Sequence, residues 1–311
     1  MKKAILFIFC LLIIILLILS YIQMGEVGAE VDGGDTEHAG QMEGSGQVKI
    51  TFLDIGQGDA TFIEFPDGQQ MLVDCAIDAR ILEALGRVMP FFDNTIDYML
   101  VTHPDKDHYG GCIDVLDRFE VENIIYTGVK KDQSFYEAFD NAMDGEGAEY
   151  HHIAGEDVWN IASTTIHFLY PDHDVSENHI LPGFEKDTGY NNASIAFTLE
   201  YNGNTALFTG DAEEEEEEYL LSTYDGPLDV DILKGGHHGS SGASIPEFLE
   251  AVSPEHVIFS AGRENSYGHP SRRVLKRVER VGGAIWRTDT QGDVIVTLGE
   301  DIYVEAVGVR P

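Results

Sequence analysis

Within the ten residues Thr102-His103-Pro104-Asp105-Lys106-Asp107-His108-Tyr109-Gly110-Gly111, four side chains have the chemistry of metal ligands. They follow an apolar strand pattern at Ile96–Thr102, and a loop leaving a strand end can turn several side chains toward one point. His103 and Asp105 can converge on one cation, and Asp107 and His108 on a second beside it. The two glycines let the backbone turn tightly into a following helix. Two further strand ends carry matching groups. Phe208-Thr209-Gly210-Asp211 places a carboxylate at the end of a buried strand, which is costly unless it is paired or meets a cation; there it can bridge two ions. Leu233-Lys234-Gly235-Gly236-His237-His238-Gly239-Ser240 ends a strand in paired imidazoles. Such a set suits hydrolysis without a Ser or Cys nucleophile. Two cations about 3.5–4 Å apart acidify a water and clamp the oxygens of an in-line displacement. Mixed His and Asp ligation fits Zn²⁺, Mn²⁺ or Fe²⁺, and its oxygen content adds weight to Mn²⁺.

The elements that must position these loops are legible as patterns. Strands are predicted at Val48–Asp54, Thr61–Phe65, Gln70–Asp74, Ile96–Thr102, Val121–Thr127, Thr164–Leu169, Ser194–Tyr201, Ala206–Thr209, Val230–Lys234 and Val257–Ser260, and around Ala284 and Val294. Helices are predicted at Ala79–Val88, Gly110–Phe119, Ser134–Met143, Glu213–Leu221, Ile245–Val252 and Arg272–Val281. Asn202-Gly203-Asn204 is a hairpin turn. Strands come first in meanders and later alternate with helices. That order suits two mixed sheets packed together with helices outside, in one domain over 48–311.

Taken together, these motifs resemble the metallo-β-lactamase-fold hydrolases, and within them the external hydrolase domain of ComEC-type DNA-uptake proteins. The resemblance runs from about residue 48 to 300. It rests on Leu53-Asp54-Ile55-Gly56-Gln57-Gly58-Asp59-Ala60, Leu72-Val73-Asp74, the His103–His108 cluster, Asn191-Asn192-Ala193-Ser194, Gly210-Asp211, His237-His238-Gly239-Ser240, Tyr267-Gly268-His269-Pro270 and Arg287-Thr288-Asp289. It implies an α/β fold, an αββα four-layer sandwich with two divalent metal ions, Zn or Mn, at one sheet edge. His103, Asp105, Asp107 and His108 are implied as ligands and Asp211 as the bridging carboxylate. One of His237 and His238 completes the second ion, with His237 preferred. Asp107, Asp211 and His269 are the implied catalytic groups. Asp74 orients the metal loop from behind, and Asp59 either supports it or is a plain turn residue. Asn192 stands where many relatives have a further histidine. Cys75-Ala76 replaces the usual small glycine-containing turn after Asp74. His269 either serves a leaving group or a phosphate, or is a structural histidine in a Pro-bounded loop.

Charge bears on the substrate. The chain has 19 Lys and Arg against 55 Asp and Glu, a formal net charge of −36, which excludes a general nucleic-acid coat. A local basic stretch softens this. Arg272, Lys276 and Arg280 recur at i, i+4 on one helix that follows Gly268-His269-Pro270. They either steer phosphates, DNA being the expected partner, or neutralise the acidic surface. Glu213–Glu218 reads as the acid-rich start of a helix, favoured by its dipole. The alternatives are a hydrolase of small esters, lactones or β-lactams on the same site, and a non-catalytic surface binding module.

The N-terminus bears on location. Lys2 and Lys3 precede an apolar run from Ala4 to Ile22, about the ~20 residues that span a bilayer. Residues 1–23 are expected to be a transmembrane anchor or a signal segment, with the anchor preferred. Residues 24–47, acidic and Gly-rich, form a linker. Either reading exports the remainder. Cys75 and Cys112 are expected there as two buried thiols, although an oxidising compartment permits a disulfide.

Overall fold

The computed structural model describes residues 46–224 and 228–308. The expected anchor or signal segment, and the linker up to residue 45, lie outside them. Among the described residues no helix is long and apolar enough to cross a membrane. Gly46 already belongs to the domain, its carbonyl accepting a hydrogen bond from the Tyr201 hydroxyl (2.6 Å).

The chain begins with β1 (Val48–Phe52), β2 (Thr61–Glu64), β3 (Gln70–Val73), α1 (Arg80–Val88) and β4 (Thr95–Leu100). The first histidine loop then folds as the short α2 (Lys106–Tyr109) and α3 (Cys112–Arg118), followed by β5 (Glu120–Tyr126), α4 (Ser134–Gly145) and β6 (Glu149–His152). The second half comprises β7 (Asp157–Ile161), β8 (Thr164–Tyr170), β9 (Ala196–Tyr201), β10 (Asn204–Phe208), α5 (Glu214–Thr223), β11 (Ile232–Lys234), α6 (Pro246–Val252) and β12 (His256–Phe259). It closes with α7 (Arg272–Val281), β13 (Ala284–Arg287), α8 (Thr288–Gln291), β14 (Val294–Leu298) and β15 (Ile302–Ala306).

The strands form two sheets, ordered β15-β14-β1-β2-β3-β4-β5-β6 and β13-β12-β11-β10-β9-β8-β7. Each has a parallel block, β3 to β6 in one and β10 to β13 in the other, so several strand C-termini leave the same edge. Loops at such an edge are the natural ligand-binding position of an α/β sheet. Ile50, Phe52, Ile63, Phe168, Phe197 and Phe208 fill the space between the sheets. A second core joins the first sheet to α1, α3 and α4, and a third joins the second sheet to α5, α6 and α7. The layers are therefore helix, sheet, sheet, helix.

Helix α7 shows how the pattern specifies an element. Ser271 caps it, its hydroxyl accepting from the Val274 N–H (3.3 Å), and Gly282 ends it in the left-handed region at φ 86°. Val274 and Val278, one turn apart, are fully buried. Each contributes roughly 1.5–3 kcal/mol by leaving water.

One expectation changes. Cys75 and Cys112 are joined by a disulfide, with their Cα atoms 5.1 Å apart. The chain turning after β3 brings Cys75 against the start of α3, a proximity that a separation of 37 residues conceals. The glutamates after Asp211 do open a helix, α5, but two of them leave solvent. Glu216 and Glu217 are fully buried. The Glu217 carboxylate accepts from the N–H groups of Ser244 (2.6 Å) and Ile245 (2.8 Å), just before α6.

Candidate metal centre

Loops from both sheets meet where β3, β4, β10 and β11 end. Thr102 continues the first sheet toward His103, and its own hydrogen bonds set two imidazoles. Its N–H donates to Asp74 Oδ1 (2.8 Å), and its hydroxyl donates to Asp74 Oδ2 (2.9 Å). That hydroxyl has spent its proton, so it accepts from His103 Nδ1–H (3.1 Å). His108 Nδ1–H donates to the same Asp74 Oδ2 (2.8 Å). Nδ1 of each ring is thereby occupied, and Nε2 is the nitrogen left for the centre. Carboxylate partners of this kind fix the tautomer and orientation of ligating histidines.

The second sheet supplies the opposing groups. Asp211 follows the β10 turn, its N–H donating to Ser194 Oγ (3.0 Å). Its Oδ2 lies 3.2 Å from His108 Nε2, 3.4 Å from His238 Nε2 and 3.7 Å from His237 Nε2. His238 Nε2 is also 3.4 Å from Asp107 Oδ2. His238 Nδ1–H donates to the Ser260 carbonyl (3.2 Å) and lies 3.3 Å from Asp59 Oδ1. Asp59 Oδ2 is in turn 2.5 Å from the buried Lys234 ammonium, which donates to Gly210 O (2.8 Å). Gly58 lets this loop close: its φ is 106°, and a Cβ there would lie 2.2 Å from the Asp107 carbonyl.

The donor set fits divalent cations. His103, His108 and Asp211 bring ligand atoms within 4.8 Å of one another; so do Asp107, His108 and His238, and Asp59, Asp211 and His238. The Nε2 atoms of His103, His108 and His238 and the Oδ1 of Asp211 are buried without a hydrogen-bond partner. Four such orphaned atoms aimed at one another are expensive unless a cation fills the space between them.

Electrostatics agree. Burial holds His103 neutral, with its pKa lowered to about 4, as a ligand requires. Burial opposes charge on His108, but Asp211 and Asp74 outweigh it and raise its pKa well above the ordinary value. His238 is raised to about 10 against burial by Asp211 and Asp59. The Asp211 carboxyl is held well below its usual range, since His108 and His238 overcome the burial penalty. Asp107 is lowered in the same way, by the neighbouring His238 and His108 imidazoles. Protons on these imidazoles do for the carboxylates what bound cations would do.

The structure places three of the expected residues as follows. His238, rather than His237, reaches both Asp107 and Asp211. Residues 237–239 run through three left-handed conformations (φ 42°, 51° and 84°), a path that buries His238 and leaves His237 at the rim. His237 is tied by Nδ1 to Glu213 Oε1 (3.0 Å). Asp105 is turned toward Lys131, with which it forms an ion pair, and is not among the grouped ligand atoms. Asn192 faces away from the centre. Its Oδ1 accepts from the N–H groups of Glu213 (2.9 Å) and Glu216 (3.2 Å), and its Nδ2 donates to Thr188 O (2.7 Å). Its neighbour Asn191 faces the centre instead, with Nδ2 3.3 Å from His237 Nδ1.

Lys234, Asn191 and Glu213 lie within the sequence motifs but take no site role from the sequence. Only Lys234 carries a signal there: a lysine inside an apolar strand needs a buried counter-charge. His269 sits at the rim, its ring 5.8 Å from that of His237, with Nδ1 buried and unpartnered. Burial, then the charges of His237 and His238, lower its pKa. Helix α7 begins against the histidine turn, since Ser271 N–H donates to Gly239 O (2.8 Å). Arg272, Lys276 and Arg280 are exposed along it, whereas Arg277 is held by the carbonyls of Ser241, Ala243 and Ser244.

Comparison with known proteins agrees with this architecture. The family model described as the metallo-beta-lactamase superfamily matches residues 53–263. ComE operon protein 3 of Bacillus subtilis is 27% identical over 271 residues, covering 80% of this chain and 33% of that protein. Competence protein ComA of Neisseria gonorrhoeae is 29% identical over 258 residues, covering 81% of this chain and 33% of that protein. The chain thus spans about a third of the length of these relatives. Among solved structures, the metallo-beta-lactamase fold protein YhfI of Bacillus subtilis superposes with a TM-score of 0.50 at 12% identity, covering 77% of this chain and 95% of that one; this likeness concerns the fold.

Proposed function

Because the chain belongs to the metallo-beta-lactamase superfamily, whose members are generally metal-dependent hydrolases, we propose that it is a two-metal phosphodiesterase acting on a nucleic-acid strand outside the cytoplasm. The observation that carries this reading is the convergence of three buried, unpartnered imidazole Nε2 atoms on Asp211. His103, His108 and Asp211 would hold one cation, and Asp107 and His238 would contribute to holding a second beside it. Such cations supply Lewis acidity: they acidify a water and offset charge on phosphoryl oxygens.

The chain's own residues do the remaining work. Asp74 and Thr102 keep His103 and His108 oriented, and Asp59 and Lys234 keep His238 in place. His269, neutral and half-buried at the rim, donates a ring N–H to a non-bridging phosphate oxygen. Arg272, Lys276 and Arg280 give the strand a local basic track on an otherwise acidic protein. A relative named as a competence protein favours DNA as the strand. The Cys75–Cys112 disulfide suits an oxidising compartment, as does export by an N-terminal anchor or signal at residues 1–23.

The test is hydrolysis of single-stranded DNA and of bis-p-nitrophenyl phosphate by the full chain in detergent, with Mn²⁺ or Zn²⁺, beside Asp211→Ala. Turnover that disappears in the variant and in chelator supports the proposal. Metal uptake without turnover of either substrate overturns the phosphodiesterase assignment. Reversing the charges of Arg272, Lys276 and Arg280 is expected to weaken strand binding and flatten its salt dependence by about one unit of slope per lost phosphate contact.

A further inference from the structure

Tyr267 is 70% exposed, yet it is joined to the centre by a chain of rings. Its ring lies nearly parallel to that of His269, 15° apart with centroids 5.7 Å apart, and His269 is 5.8 Å from His237. The loop that presents it is built, not slack. Asn265 Nδ2 donates to the carbonyls of Gly262 (2.7 Å) and His269 (2.7 Å), and its Oδ1 accepts from His269 N–H (2.9 Å). Gly268, at φ 71°, makes the turn that separates the two stacked rings.

The aromatic ring on the other rim differs. Tyr190, beside Asn191, already carries the Lys131 ammonium 4.4 Å from its centroid and the His179 ring at 4.5 Å. Tyr267 has only His269 against it among the described residues, so an aromatic plane is left open next to the reactive centre. An exposed tyrosine stacked on an imidazole and followed within five residues by Arg272 presents two things. One is a π-face and the other a phosphate partner, the pairing by which proteins track unpaired nucleotides.

We infer that Tyr267 is a stacking platform for one unpaired nucleobase of the strand whose phosphate lies at the metal centre. The inference rests on the phosphodiesterase reading and narrows its substrate to single strands or frayed ends. Bases inside a duplex have both faces covered and cannot reach the ring. Because every base has a π-face, the platform discriminates base from no base and is tolerant of sequence. Asn265 ties the loop together through Gly262 and His269, and the tyrosine ring lies against His269, which limits what is lost in fixing it on binding.

The test compares fluorescein-labelled hexathymidylate with its fully abasic counterpart on the full chain, by anisotropy and by hydrolysis in parallel. The wild type is expected to bind the base-bearing strand about tenfold more tightly than Tyr267→Ala does. Tyr267→Ala should lose much of the discrimination against the abasic strand, and Tyr267→Phe and Tyr267→Trp should restore it. Retained discrimination in Tyr267→Ala, or none in the wild type, overturns the platform. Hydrolysis without discrimination sinks the platform and leaves the phosphodiesterase. Discrimination without hydrolysis does the reverse, and neither binding nor hydrolysis removes both.

Discussion

Asp74 and His108 meet at 2.8 Å, carboxylate Oδ2 to imidazole Nδ1, although 34 residues separate them and neither is exposed to solvent. This contact decides which ring nitrogen His108 offers to the centre. Asp74 also receives the Thr102 amide and hydroxyl, so one carboxylate sets both histidines of the first loop. Asp74→Asn keeps the shape but presents a poorer acceptor and one N–H where an acceptor was needed. The metal affinity is expected to fall about 10–100-fold, read by competition against a chromogenic chelator. An unchanged affinity would show that the two rings orient themselves.

The paired histidines give a sharper contrast. His238→Ala removes an Nε2 that faces both Asp107 and Asp211, whereas His237→Ala removes one held at the rim by Glu213. The His238 variant is expected to bind one equivalent of Mn²⁺ or Zn²⁺ where the wild type binds two. The His237 variant should retain both, with at most a modest loss of affinity. Metal content after gel filtration decides it; the opposite ranking would restore His237 as the ligand.

The disulfide ties the loop after Asp74 to the helix after the His103–His108 loop. Cys75 N–H also donates to His108 O (2.6 Å), so the bond braces the backbone of a ligand. Its closed loop of 38 residues corresponds to about 4 kcal/mol in the chain-entropy treatment. Cys75→Ala/Cys112→Ala is therefore expected to lower the melting temperature by roughly 8–15 °C for a domain of this size. Calorimetry of the chelated protein measures this, and a shift under about 2 °C would mean that packing alone holds the two loops together.

Glu216 and Glu217 set a pH dependence. Burial raises both carboxyls, Glu216 well above its ordinary value and Glu217 to about 8 from 4.5, despite two backbone donors on Glu217. The folded chain then holds protons that the unfolded chain has released, from about pH 4.5 up to the folded values. Stability should therefore be greatest at the acid end of that window and fall as pH rises through 8. The loss is on the order of a few kcal/mol. Glu216→Gln/Glu217→Gln imitates the neutral forms and should flatten the slope. Urea midpoints of both proteins in chelator between pH 5 and 9 provide the comparison, and parallel slopes would refute the assignment.

What could be read before folding follows from the range of the forces involved. Strand and helix positions depend on neighbours a few residues away, and most interior elements lie within two residues of their sequence patterns, as in Thr61–Glu64, Arg80–Val88 and Arg272–Val281. The strands not recognised, β6, β7 and β15, are all sheet edges. Edge strands are half solvated, so Glu149–His152 needs no apolar alternation to stay in place, whereas Ile302–Ala306 does alternate, with Ile302, Val304 and Ala306 packed against the core.

The ligand types were likewise local. His103, Asp107, His108, Asp211 and the pair His237-His238 stand at strand ends because that is where backbone leaves the sheet. Which of them meet was decided by contacts between segments far apart in sequence. Lys131 claims Asp105, Glu213 claims His237, Asn192 turns to the start of α5, and Asp59 reaches His238 with Lys234 behind it. The Cys75–Cys112 bond and the burial of Glu216 and Glu217 are of the same kind. A side chain's type fixes what it can bind; its direction depends on backbone angles and on a partner arriving from elsewhere in the chain, and only the folded packing of the two sheets sets those.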